Sequence, residues 1–343
     1  LNTNAQCTNG RYFIAELDES DGTITKYSPD IVVINNIEAD HPDFYTDGLD
    51  SILKVFAEFL DNLPQDTIVL VNNDCENVRK LISGRKCITY SLSSPPHPNP
   101  LPQGEGTQYV AENIVYTPDY ITFDVNGTRL KIILRGEHNV YNALAVFASL
   151  CEAGIEPDVM KEHFAAFTGM GRRFEKVAEF DDITVYDDYA HHPTEIRVTL
   201  NAAKGLKPSP EALNSPLGSL SASTLSHRER VTGNVVAVFQ PHRYTRFKNL
   251  WEDFLNAFED ADRVVVTDVY SASEEPLEGV DSAAFAKELS KCVPAEHISG
   301  NMTELARKLL PSLKPHDIVI GLGAGTITYL GKEIKEAVVA GRV

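Results

Sequence analysis

Short runs of β-branched residues alternate along this chain with segments of helix length, and this alternation constrains the fold more than any other feature. Strands that alternate with helices pair in parallel, because each helix returns the chain to the starting edge of the sheet. The pattern therefore predicts an α/β fold with a mainly parallel sheet. The predicted strands are residues 12–16, 31–37, 67–71, 183–187, 235–239, 264–269 and 318–320.

Apolar spacing between these strands predicts the other elements. One helical face is predicted from Leu250, Trp251, Phe254, Leu255 and Phe258, which recur at helical intervals. Residues 109–135 instead resemble consecutive strands, with turns at 118–119 and 126–127. A helical pattern covers 137–154 and is followed by a break at 169–171. This break predicts two domains, 1–171 and 172–343.

Two segments interrupt the rhythm of strands and helices. Residues 93–107 are dense in Pro and Gly, and residues 206–232 are rich in Ser and Pro. Proline disrupts helix interiors and central strands, so both segments are predicted to be surface loops or disordered insertions. A binding loop is the alternative, and a tolerated insertion is the favoured interpretation.

The charge balance narrows the classes of partner. Lys and Arg number 31 against 49 Asp and Glu, which gives a net charge of −18. Nucleic acids and anionic membranes need clustered basic residues, so neither is predicted as a partner. Five scattered cysteines without a CxxC pair, and no apolar run of membrane length, favour a cytoplasmic protein. The 43% apolar content is enough for sizeable cores.

Acidic clusters follow two of the predicted strands. Glu16 lies in AELDESD after the first strand, and His41 ends NIEADH after the second. Parallel strands place ligand-binding groups at their carboxyl ends, so this pair is a candidate site for a hard cation. Histidine is an unusual ligand for Mg²⁺, and solvated surface loops remain the alternative.

A third cluster opens the predicted helix at 137–154. Asn139 and Asn142 are three residues apart and project from one helical face, with His138 beside them. Such a pair of amides either presents donors and acceptors to a base edge or caps the helix.

Two further clusters combine charged and aromatic residues near predicted strand ends. Arg173 lies in RRFE, while Asp188 and His191 lie in DDYAHHP, whose proline suits the first turn of a helix. An arginine beside a helix N-terminus favours phosphate, with a structural turn as the alternative. The segment QPHRYTR contains His242, Arg243 and Arg246, which together suggest a clamp for an anion or carboxylate. A solvated basic loop is the other interpretation.

Taken together, these clusters resemble the Mur ligases over nearly the whole chain apart from the two insertions. The resemblance rests on eight segments in the family's order: AELDESD, NIEADH, GEHNVYNA, RRFE, DDYAHHPTE, FQPHRYTR, DVYSASEEP and GLGAGTI. It implies part of a central ATPase domain with a parallel sheet, followed by a Rossmann-like C-terminal domain. It also implies a ligase of peptidoglycan precursor synthesis, which uses ATP to join a carboxylate to an amine through an acyl phosphate and a tetrahedral intermediate.

The resemblance further implies substrates and residue roles. The substrates are ATP, the lactyl carboxylate of UDP-N-acetylmuramate and L-alanine, and a homodimer is left open. Glu16 and His41 would bind Mg²⁺. The adenine would face Asn139 and Asn142, with His138 beside them. The phosphates and ribose would meet Arg173 and Asp188. The alanine and the reacting carboxyl would lie among His191, His242, Arg243 and Arg246.

One departure from the family pattern concerns the phosphate loop. No GxxxxGK[ST] occurs in these 343 residues. The sequence is therefore expected to begin after that loop, without the UDP-binding domain, and to bind ATP weakly with negligible turnover by itself. The alternatives are a ligase that adds a whole murein tripeptide, against which QPHRYTR argues, and a non-catalytic binding module. A dehydrogenase is disfavoured because GLGAG lacks the third glycine of GxGxxG.

Overall fold

The computed structural model describes residues 9–40, 44–92, 108–117, 119–206 and 233–341. The predicted insertions at 93–107 and 206–232 lie outside the described residues, except for Leu206. His41 also lies outside them.

The N-terminal sheet is parallel and has the strand order β1-β2-β3-β4. Its strands are β1 (Ile31–Ile34), β2 (Ile68–Asn72), β3 (Ile88–Ser91) and β4 (Gln108–Val110). Two helices join the first three strands: α1 (Leu49–Asn62) and α2 (Glu76–Leu81). They cover one face of the sheet, where Val71 packs against Ile52 and Val78. Strand β2 is buried on both faces, with Leu70 in one core and Val71 in the other, which is why it begins with four consecutive apolar residues.

A three-stranded antiparallel sheet lies within 109–135, where the sequence predicts consecutive strands, although residues 109–110 belong to β4. Its strands are β5 (Glu112–Tyr116), β6 (Ile121–Val125) and β7 (Thr128–Ile132). Asn126 and Gly127 have φ values of 47° and 76°, the left-handed pair that a two-residue hairpin turn requires. Helix α3 (Glu137–Glu152) packs between this sheet and the second face of the N-terminal sheet, and α4 (Pro157–Ala166) follows it.

The C-terminal sheet has six strands in the order β12-β11-β10-β13-β9-β8. Its strands are β8 (Glu175–Phe180), β9 (Ile183–Asp188), β10 (Val235–Phe239), β11 (Arg263–Val266), β12 (Ala295–His297) and β13 (Ile318–Leu322). Its helices are α5 (Pro193–Lys204), α6 (Tyr244–Asn249), α7 (Trp251–Leu255), α8 (Ser282–Leu289), α9 (Met302–Leu309) and α10 (Leu330–Gly341). Within this sheet only β8 runs antiparallel to its neighbour. The predicted α/β class is confirmed.

Two sequence predictions differ from the structure. The predicted strand at 12–16 is wrong: this segment has no regular structure, and Phe13 and Ile14 are 92% and 89% exposed. A strand needs a hydrogen-bonded neighbour, and no strand of the described residues lies beside this segment. The predicted helical face at 250–258 is divided, because α7 ends at Leu255, although Phe254 and Phe258 still enter the same core.

None of the described helices is both long enough and apolar enough to span a bilayer.

Candidate active site

Five of the eleven predicted site residues lie at or just beyond the carboxyl ends of β9 and β10. Asp188 ends β9 and His191 follows it, while His242 and Arg243 follow β10. Strand β13 lies between the two and pairs with both in parallel, so the ends of the three strands lie at one edge. Ligands of open α/β sheets bind in the crevice at this edge.

Asp188 is buried at the end of β9 and accepts two backbone hydrogen bonds. Its Oδ2 accepts from the Phe174 amide at 2.8 Å, and its Oδ1 accepts from the Ala190 amide at 2.8 Å. Burial nevertheless dominates and raises the pKa of Asp188 to about 6. This carboxyl thus fastens the segment entering β8 to the strand that presents His191.

His191 lies at the start of α5 in a tightly bonded turn. Its Nδ1 is 2.9 Å from the carbonyl of Tyr189 and 3.4 Å from Oε2 of Glu195. A carbonyl only accepts, so Nδ1 carries the proton and Nε2 keeps its lone pair. Burial lowers the pKa of His191, although Glu195 opposes this shift. The imidazole is therefore neutral near pH 7.

The next residue, His192, caps α5. Its Nδ1 accepts from the Thr194 amide at 3.4 Å, and Glu195 Oε2 accepts from the amides of His191 and His192 at 2.9 and 3.1 Å. The His192 side chain thus binds a backbone amide of the first turn of α5, while the Glu195 side chain binds the backbone amide of His192, as in a capping box. Two successive histidines thus have different roles, one presented to the crevice and one fixing the helix.

His242 lies opposite His191, with ring centroids 5.8 Å apart. Its ring stacks on Tyr270 at 5.4 Å, and its Nδ1 lies 3.3 Å from Nη1 of Arg246. Because a guanidinium only donates, Nδ1 accepts and the ring proton sits on Nε2. Burial, followed by the charges of His191 and Arg246, lowers the pKa of His242 to about 4.

Arg246 connects the C-terminal sheet with the loop that follows β1. Its Nε and Nη2 donate to the two carboxylate oxygens of Asp40 at 3.1 and 3.4 Å. The Arg246 side chain is 7% exposed and that of Asp40 is 20% exposed. A second contact joins the same regions, since Thr194 Oγ1 donates to Glu38 Oε2 at 2.7 Å. The segment that follows β1 is thereby held against the segments that follow β9 and β10.

The cluster around α3 also reaches the C-terminal sheet. His138 is largely buried, and burial followed by the charge of Arg173 lowers its pKa to about 4. Asn139 Nδ2 donates to the Arg135 carbonyl at 2.6 Å and lies 3.0 Å from His138 Nε2, while its Oδ1 accepts from Asn142. The amide of Asn139 is therefore used within the protein, and Asn142 is exposed.

Arg173 is the exposed member of the cluster at the end of β9. Its Nη1 lies 3.5 Å from Glu195 Oε1, and its guanidinium lies 5.6 Å from the centre of the Tyr189 ring. The neighbouring Arg172 is held more firmly, because it contacts Asp187 at 3.3 Å and donates to the Gly323 carbonyl at 2.7 Å. Arg173 is thus available to an anion, whereas Arg172 is structural.

Of the two residues predicted to bind Mg²⁺, the structure describes only one. Glu16 is exposed, and His41 lies outside the described residues. Within the described part of the chain, no three side chains of His, Cys, Asp or Glu come together as a metal-binding group. An exposed carboxylate still matches Mg²⁺, which commonly takes only one or two protein carboxylates and completes its shell with water and phosphate.

A cavity of about 470 Å³ opens beside His242 on the same edge. Tyr270, the stacking partner of His242, lines it together with Gln240, Asp268 and Tyr329. This volume falls in the range of pockets that hold small organic ligands.

Several groups in this site were not predicted individually from the sequence. Glu38 and Asp40 lie in NIEADH, Glu195 in DDYAHHPTE, and Tyr270 in DVYSASEEP. Only Glu195 has a local signal, since a glutamate three residues after a helix cap is typical of a capping box. The partners of the other three lie far away in the sequence.

Two mainly parallel sheets whose carboxyl ends meet at one crevice are typical of α/β proteins that bind a ligand at that edge. Residues 2–150 match the Mur ligase middle domain, and residues 172–220 match the Mur ligase glutamate ligase domain. The chain belongs to the Mur ligase family.

Three relatives share the name UDP-N-acetylmuramate–L-alanine ligase. The protein from Geobacter sulfurreducens is 36% identical over 97% of this chain and 66% of its own length. That from Geotalea uraniireducens is 36% identical over 98% and 67%, and that from Rickettsia felis is 33% identical over 97% and 66%. The chain therefore spans about two thirds of the length of these relatives.

Solved structures of two Mur-type ligases also resemble this chain. The UDP-N-acetylmuramate–alanine ligase of Thermotoga maritima is 26% identical, with a TM-score of 0.66 over 95% of this chain and 63% of its own. A murein peptide ligase from Psychrobacter arcticus has a TM-score of 0.58 at 17% identity, over 92% of this chain and 58% of its own, and shares the fold.

Proposed function

We propose that this chain supplies the ATP-binding and amino-acid-binding parts of a UDP-N-acetylmuramate–L-alanine ligase. In this proposal, residues 1–171 belong to the ATP-binding domain and 172–343 to the C-terminal domain. The observation that supports it most directly is the contact of Arg246 with Asp40, which brings the loop beyond β1 to the two histidines. The relatives that share 33–36% identity support the choice of alanine.

In the reaction, the lactyl carboxylate attacks the γ-phosphorus of ATP, which gives an acyl phosphate and ADP. The amine nitrogen of alanine then attacks the acyl carbon, loses a proton, and phosphate leaves as the amide forms. Such chemistry depends on positioning and charge neutralisation more than on covalent catalysis by the protein.

The two neutral histidines suit opposite roles in the second step. His191 has an unprotonated Nε2, which can accept the proton that the amine loses. His242 has its proton on Nε2, which can donate to the oxyanion of the tetrahedral intermediate. Arg243 would bind the alanine carboxylate as a forked donor. Arg246 orients His242 through its Nδ1.

On the nucleotide side, Arg173 is the exposed cation that would meet the phosphates. Asn142 would present its exposed amide to the adenine, and Asn139 with His138 would hold that amide in place. Asp188 would act on the nucleotide through Phe174 and the adjoining Arg173, because both of its oxygens are bonded to backbone amides.

Glu16 and His41 would hold Mg²⁺, which supplies charge neutralisation at the phosphates when bound. The exposed carboxylate of Glu16 provides the oxygen donor that this ion prefers.

The test uses ATP, Mg²⁺, UDP-N-acetylmuramate and either L-alanine or a murein tripeptide. Calorimetry measures binding of each amine, and ADP release together with the product mass measures ligation. We expect alanine to bind and the tripeptide not to compete, and we expect any trace of product to be the alanine adduct of the sugar nucleotide. The cavity beside Tyr270 is larger than one alanine fills, which is why the tripeptide must be included.

Preferential binding and ligation of the tripeptide would assign the chain to the peptide ligases instead. Binding of neither amine would favour a non-catalytic module. The expectation that these 343 residues alone have negligible turnover stays a prediction, and rates typical of complete ligases in the same assay would contradict it.

A further inference from the structure

The loop after β11 has an unusual backbone at residues that form no part of the site as described above. Ala272 and Ser273 have φ values of 49° and 73°, in the left-handed region that residues with a Cβ rarely adopt. Such a conformation persists only where surrounding contacts hold it in place. The residue that follows is Glu274, whose amide donates to the Ser271 carbonyl at 3.0 Å.

The Glu274 carboxylate reaches across to the loop after β10. Its Oε2 accepts from the Thr245 amide at 3.0 Å, and its Oε1 accepts from the Thr245 hydroxyl at 2.7 Å. The same Oε1 lies 3.9 Å from Nη1 of Arg243. The Glu274 side chain is 20% exposed, so water screens these contacts only in part.

Backbone contacts join the same two loops a few residues earlier. The Arg243 amide donates to the Tyr270 carbonyl at 2.9 Å, and the Tyr270 amide donates to the Pro241 carbonyl at 2.8 Å. Arg243 itself has a φ of 65°, again in the left-handed region. The turn that presents Arg243 is therefore held on one side by Tyr270 and on the other by Glu274.

We propose that Glu274 is a positioning residue that holds the Arg243–Thr245 turn so that the Arg243 guanidinium meets the carboxylate of the incoming amino acid. This inference rests on the proposed function. Glu274 acts through Arg243 and does not itself touch the amino acid. The Glu274 carboxylate binds the amide and the hydroxyl of Thr245. Its ion pair with the half-exposed guanidinium of Arg243 is long, so the carboxylate of an incoming amino acid can compete with it.

Two substitutions separate positioning from charge. Glu274→Gln retains both contacts to Thr245, because the amide oxygen accepts from the backbone and the amide nitrogen donates to the hydroxyl. Glu274→Ala removes both contacts. We expect Glu274→Ala to weaken L-alanine binding at least tenfold by calorimetry, with ATP binding changed less than twofold, and Glu274→Gln to bind alanine within threefold of the unaltered chain. Glu275→Ala, at the exposed neighbouring glutamate, is the matched control and is expected to change neither affinity.

The outcomes separate this inference from the function on which it rests. Equal alanine affinities for the unaltered chain and for Glu274→Ala would overturn the positioning role and leave the proposed function standing. Equal weakening of alanine and ATP binding by Glu274→Ala would also overturn it, since a purely structural loss does not discriminate between ligands. Failure of the unaltered chain to bind alanine would refute the proposed function itself, and this inference with it.

Discussion

Replacing Asp188 with asparagine tests how a buried carboxyl holds the end of β9. Burial raises the pKa of this group from 3.8 to about 6 in the folded protein. The full shift corresponds to about 3 kcal/mol of unfolding free energy, at about 1.4 kcal/mol per unit of pKa. Because the folded pKa is the higher one, this contribution is complete below pH 3.8 and is lost as the pH rises through about 6.

Between pH 5 and pH 7.5, the loss amounts to about 1.4 kcal/mol for Asp188. The asparagine side chain of the variant does not titrate, and its fixed cost from mismatched hydrogen bonds is the same at both pH values. The stability advantage of the unaltered protein over Asp188→Asn is therefore expected to be about 1.4 kcal/mol larger at pH 5 than at pH 7.5.

Urea unfolding followed by tryptophan fluorescence measures this difference. The chain has one tryptophan, Trp251, which packs against Phe247 and Phe285 in the core of the C-terminal sheet. Asp253→Asn, at an exposed position on α7, controls for the loss of one surface carboxylate. A stability advantage that is independent of pH, or one that grows as the pH rises, would refute the reasoning.

Two further substitutions test contacts made by residues of the C-terminal domain, again by urea unfolding. Arg246→Lys keeps the positive charge but loses the forked contact with Asp40, so we expect the free energy of unfolding to fall by about 1–3 kcal/mol. The control Lys248→Ala, at an exposed position, is expected to lower it by less than about 0.5 kcal/mol. A loss no larger than that of the control would show that the ion pair is not important for folding. Gly331→Ala places a Cβ 2.4 Å from Cγ2 of Val177, whereas Gly341→Ala meets no atom within 4 Å. We expect a cost of about 1–3 kcal/mol for the first and almost none for the second, and similar values for both would contradict the packing argument.

Local patterning predicted the central strands well, because their apolar runs are buried on both faces. The bounds of β10 were predicted correctly, and all five of its residues are buried. Residues 12–16 form a similar apolar run but have no neighbouring strand among the described residues, and an apolar run by itself cannot supply a partner.

In the candidate site, too, the residues selected from local sequence could be predicted, whereas their partners from distant parts of the chain could not. The histidines and arginines could be selected from their spacing after predicted strands, and β9 and β10 do bring His191 and His242 together. The partner of Arg246 could not be predicted, because Asp40 lies 206 positions earlier. The internal hydrogen bonding of the Asn139 amide could not be predicted either, because it depends on the tautomer and the burial of His138.

The bond between Asp40 and Arg246 has a thermodynamic consequence. It joins the loop that leads to His41 with the helix that orients His242, so any opening of this bond would release both segments together. A ligand that binds more tightly to either segment when the bond is formed would favour the closed arrangement of both. By linkage, each ligand then raises the affinity for the other by the same factor, and this factor can be measured by titrating one ligand in the presence and absence of the other.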